Sequence, residues 1–76
     1  MEINSTMLNN LLECNKHIKL KFKEDSNILE ILIYNKVYTC ITLSSKNLNN
    51  HSSIIYNTLV SLDNINIYIP KIYIKE

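Results

Sequence analysis

The chain contains no glycine. Only Gly enters left-handed backbone regions without steric cost, so its absence removes the loops in which a main chain wraps closely around a phosphate. Walker loops and dinucleotide fingerprints are excluded, and tight turns have to be made by Asn, Asp or Ser. Ala, Arg, Gln and Trp are also missing, while Asn, Ile, Lys and Tyr make half the chain. Those four are the residues favoured by AT-rich coding DNA, which points to a phage, a virus or another mobile element of a low-GC host.

A chain of 76 residues holds one small domain, read here as a single α+β domain over residues 1–76, and leaves no room for a multi-domain enzyme. Domains of this size bury only about 60% of their unfolded surface, so oligomerisation is expected to complete the core. The formal net charge of +1 and the lack of Arg argue against sequence-specific DNA binding, which needs bulk attraction for phosphates and a bidentate fork for guanine. The longest apolar runs fall far short of the ~20 residues that span a bilayer. Met1-Glu2-Ile3-Asn4 lacks the basic and apolar regions of a secretory signal. A soluble protein of the cytoplasm is expected, the host cell's if the gene is viral, with no membrane role.

From Asn4 to Cys14, the residues Met7, Leu8, Leu11, Leu12 and Cys14 recur at helical spacing, with Asn4 or Ser5 as N-cap. His17 to Lys23 alternates polar and apolar, which predicts a strand with Ile18, Leu20 and Phe22 facing the core. Ile28 to Tyr34 is a second strand, Asn35-Lys36 a two-residue hairpin turn, and Val37 to Leu43 the returning strand. A second helix over residues 46–62 carries the stripe Leu48, Ser52, Ile55, Leu59 and Leu62. The tail from Ile65 to Lys75 reads as a fourth strand whose facing flips at Pro70. The expectation is therefore a small two-layer α+β sandwich of order α-β-β-β-α-β. Its sheet has four strands, mainly antiparallel, with both helices on one face and the tail returning parallel beside the first strand.

The two-residue turn sets Tyr34 opposite Val37, so Ile28, Glu30, Leu32 and Tyr34 share a face with Val37, Thr39, Ile41 and Leu43. Leu29, Ile31 and Ile33 share the other with Tyr38, Cys40 and Thr42. Burying the charge of Glu30 in so small a core would cost several kcal/mol, so the second set faces the helices. Leu32, Tyr34, Val37 and Ile41 are left on an uncovered apolar face that wants a partner, in the first instance a second copy in a homodimer. Beyond Pro70, Ile72, Tyr73 and Ile74 form an apolar edge suited to a swapped or added strand.

Lys19, Lys21 and Lys23 project together from the first strand and could meet a nucleic-acid backbone or an acidic protein surface. No aromatic residue interleaves them, so the stacking half of a single-strand platform is missing there. Cys14, His17, Cys40 and His51 match no zinc spacing and are read as two reduced, mostly buried thiols and two unrelated imidazoles. The carboxylates have no partners predictable from spacing, and no Gly-lined oxyanion loop accompanies a nucleophile. No cofactor, no metal and no enzymatic activity are expected. The leading expectation is a non-catalytic protein-interaction module that binds and inhibits a host protein, in the manner of an anti-defence or anti-CRISPR inhibitor. The alternatives are a small nucleic-acid-binding regulator using the lysine strand, and a structural subunit of a viral assembly.

Overall fold

In the computed structural model, which describes residues 3–63 and 65–70, helix α1 (Ser5–Glu13) begins where the Asn4 side chain accepts a hydrogen bond from the Met7 N–H at 3.0 Å. This satisfies one of the amide groups a helix start leaves without a partner. Met7, Leu8 and Leu11 form its buried face. Strands β1 (Ile18–Phe22), β2 (Ile28–Ile33) and β3 (Lys36–Thr42) follow as an antiparallel meander in the order β1-β2-β3. A 3₁₀ turn over Leu48–His51 then leads into α2 (Ser52–Val60), so the single long helix expected over residues 46–62 is a short helix with a tightened start.

The missing glycines are replaced at the turns. Asp25 takes a φ of 58° between β1 and β2, while Tyr34 and Asn35, with φ of 52° and 66°, make the two-residue turn between β2 and β3. Two successive positive φ values define the turn type whose twist matches a hairpin. Ile33 pairs with Lys36 across it, one residue earlier than the expected closure of Tyr34 on Val37.

Both helices pack on one face of the sheet. Leu11, Leu29, Ile31, Ile55 and Leu59 are its largest fully buried side chains, each contributing about 1.5–3 kcal/mol by leaving water. Leu29, Ile31 and Ile33 face the helices as Glu30 requires, but β3 does not keep its expected facing. Leu32 pairs with Val37 and Ile31 with Thr39, so Tyr38 is an extra residue in the ladder, a β-bulge. Beyond it the phase of β3 is reversed relative to the expectation. Ile41 lies opposite Leu29, half-buried against the core, and Leu43 is buried within it. Cys40 and Thr42 turn outward instead. The expected grouping of Thr39, Ile41 and Leu43 with Leu32 is therefore corrected.

Bulges are common at sheet edges, where the added twist discourages pairing with other chains. Here the Tyr38 hydroxyl also donates to the Asp63 carbonyl at 3.0 Å, tying the edge to the chain after α2. Deleting Tyr38 should close the ladder, because Val37 still faces out and Thr39 in once the extra residue is gone. The expected loss is about 1 kcal/mol, one net hydrogen bond, measurable by urea unfolding. A variant that no longer folds would show that the bulge is required for the fold.

The fourth strand is not formed by the described residues: the sheet has three strands. Residues 65–70 run beside the approach to β1, but their backbone bonds go to side chains. The Asn15 amide accepts from Tyr68 N–H and donates to Tyr68 C=O, both at 2.8 Å, and His17 Nε2 lies 3.1 Å from the Asn66 carbonyl. These pairings run antiparallel to residues 15–17, against the parallel return expected. Ile65 and Ile67 pack on the core, and Pro70 is buried. The expected strand over residues 71–75, with Ile72, Tyr73 and Ile74, lies outside the described residues.

Candidate functional site

The helices cover one face of the sheet, and the other is the candidate site. Its composition follows from strand alternation and register. One row crosses it as Lys19, Leu32 and Val37, the next as Lys21, Glu30 and Cys40, and a third begins with Ile28 and Thr42. Lys23 continues the β1 edge, its N–H donating to Ile28 C=O at 2.8 Å. The face therefore has two unlike margins. Along β1 stand Lys19, Lys21 and Lys23, all exposed; along β3 stand Val37, 53% exposed, and the uncharged Cys40 and Thr42. Leu32 and Ile28 are half-buried between them, with Glu30 in their midst.

At the hairpin end the ladder extends beyond β1, since Tyr34 N–H donates to His17 C=O at 2.8 Å. That bond brings the Tyr34 ring onto the His17 ring, with centroids 5.3 Å apart and planes 30° from parallel. Tyr34 itself is 74% exposed. The Asn66 carbonyl can only accept, so its contact with His17 Nε2 places a hydrogen on that nitrogen. His17 immediately precedes β1, so the ring pair lies at the end of the strand that carries the lysines. The pair was hidden in the sequence because it depends on the turn position and on the strand register.

Of the residues singled out from the sequence, Lys19, Lys21, Lys23, Leu32, Tyr34 and Val37 are brought to this face or its hairpin end. Ile41 is not, for it faces the helices. Both cysteines are exposed, contrary to the burial expected. Cys40 lies outward because of the bulge, and Cys14 caps the open end of α1. Among the described residues no three His, Cys, Asp or Glu side chains are grouped to hold a metal ion, and no helix is long and apolar enough to cross a membrane.

One serine–histidine contact has no signature in the sequence. Ser45 Oγ lies 3.2 Å from His51 Nε2 and 3.4 Å from Asn47 N–H, which donates to it. These bonds brace the loop before α2, and among the described residues no carboxylate bonds to His51. Comparison with protein-family models, with curated proteins and with solved structures returns no match, so the reading of the site rests on its own geometry.

Proposed function

We propose that the protein is a non-catalytic protein-interaction module that docks through the uncovered sheet face. The observation that carries this reading is the exposed Val37 beside the half-buried Leu32, on the face opposite the buried Leu29, Ile31 and Ile33. Apolar side chains gathered on an uncovered sheet face are the feature used in sheet-on-sheet packing. Such a module acts by occupying a surface of its target, which suits the inhibition of a host protein by a phage or viral product of the anti-defence or anti-CRISPR kind. A homodimer formed through the same face is the version in which the partner is a second copy.

The test is retention of a partner from nuclease-treated host lysate on immobilised protein, comparing the natural chain with a Leu32→Asn, Val37→Asp double variant. Loss of about tenfold in the retained protein, with the thermal transition little changed, is expected when two central contacts of an interface are removed. Equal retention by both would overturn the assignment of this face. Sedimentation equilibrium at micromolar concentration decides the homodimer, which the double variant should convert to monomer.

A further inference from the structure

We propose that the β1 margin of the same face is a binding site for a short segment of single-stranded nucleic acid, a function separate from protein docking at the β3 margin. Three observations converge on it. Lys19, Lys21 and Lys23 stand at every second residue of an extended chain, all exposed, which roots three charged side chains about 7 Å apart along one line of backbone. A row of that kind is matched by a ligand that repeats its negative charge along its length.

The second observation is the ring pair at the end of β1. Single strands bind through a basic track combined with aromatic faces on which bases stack. Tyr34 offers such a face, 74% exposed, and its ring contacts that of His17, centroids 5.3 Å apart and planes tilted by 30°, while His17 is held by the Asn66 carbonyl. The aromatic half of the platform, absent from β1 itself, is supplied by the neighbouring hairpin.

The third is the backbone at Tyr34. A bulky side chain at a φ of 52° is a steric outlier, and Asn or Gly fits such a turn position at lower cost. The ring gives no core packing in return, since it lies mostly in solvent. A strained residue whose side chain points away from the core is the kind found where the side chain has a task.

The chemistry also limits the ligand. Without Arg there is no fork to read a base edge, so binding tolerates any sequence. In a duplex the base faces are already stacked on one another, so Tyr34 favours a single strand. Glu30, paired across from Lys21, opposes the phosphates and keeps the affinity low.

Fluorescence anisotropy with a labelled oligothymidylate of about 12 nucleotides tests this directly. An oligouridylate arm distinguishes DNA from RNA, and a duplex of the same length and unlabelled polyglutamate are competitors. Binding to at least one single strand is expected at about 50 mM salt, with a log–log salt slope of about −2 for three phosphate contacts. Changing Lys19, Lys21 and Lys23 to Gln should flatten that slope to near zero. Tyr34→Asn, which keeps a left-handed turn and removes the ring, should weaken binding about tenfold, and Glu30→Gln should tighten it. A Leu32→Asn, Val37→Asn variant, which removes the apolar contacts and adds no charge to the row of Lys19, should bind the oligonucleotide normally while losing the protein partner, so this proposal and the protein-docking one fail separately. The proposal is overturned if neither single strand binds, if Tyr34→Asn binds as well as the natural chain, or if the duplex or polyglutamate competes as well as unlabelled oligothymidylate.

Discussion

Replacing Asn15 by Ala should lower the melting temperature by about 10–20 °C, a large effect for a residue that touches neither margin of the binding face. Asn15 is 2% exposed, and its amide makes three bonds at once. Nδ2 donates to Leu11 C=O at 2.7 Å and to Tyr68 C=O at 2.8 Å, while Oδ1 accepts from Tyr68 N–H. One side chain thus joins the end of α1, the approach to β1 and the segment over residues 65–70. Each bond contributes about 1 kcal/mol net, and partners left without water cost more. A loss of about 2–3 kcal/mol, at 4–8 °C per kcal/mol for a domain of this size, gives the stated shift. Asn15→Asp should be worse, because it removes both donated bonds and buries a charge against two carbonyls. Differential scanning calorimetry reads the shift. Hydrogen exchange reads its cause, since the Tyr68 amide should become fast in Asn15→Ala. A shift under about 3 °C would mean that Ile65, Ile67, Pro70 and the His17–Asn66 contact hold the segment without Asn15.

Asn15 also marks where the sequence stops being informative. Helix α1, the alternation of Ile18, Leu20 and Phe22, and the three strands of the meander are written in local periodicity, which survives without knowledge of the rest of the chain. The charge of Glu30 was enough to orient β2, because a buried charge is expensive in any register. A polar residue that replaces a strand ladder by bonding two groups of a distant backbone has no local signature. Asn15 therefore looked like one more member of an Asn-rich chain, and residues 65–70 looked like a strand.

The facing of β3 was lost for a related reason. A bulge shifts the phase by one residue, and in many proteins a Gly announces it; here the extra residue is Tyr38, indistinguishable from its neighbours by propensity. For the binding face this meant that the lysine row was legible from its period of two, whereas Cys40 and Ile41 exchanged sides and the Tyr34–His17 pair went unseen. Features of a face that lie on one strand can be read from the chain. Those that need two strands in register cannot, unless the turn between them is placed to the residue.

The two faces of β2 give the sharpest separation of folding from binding, because Ile31 and Leu32 are adjacent and point opposite ways. Ile31 is fully buried, opposite Leu20 and Thr39, so Ile31→Ala should cost about 2–5 kcal/mol through lost transfer energy and the cavity left behind. A chain of this length has a total stability of only about 4–11 kcal/mol, so this variant is expected to be largely or wholly unfolded at 37 °C. Leu32→Ala, on the uncovered face, should cost about 1 kcal/mol or less and yet reduce partner retention. Urea unfolding of the two variants side by side measures the contrast. If Leu32→Ala proves as damaging as Ile31→Ala, Leu32 is buried in solution by a second copy, and the melting temperature of the natural chain must then rise with protein concentration, since association stabilises by mass action. Equal losses with no concentration dependence would contradict the facing of β2, and with it the surface on which both binding proposals stand.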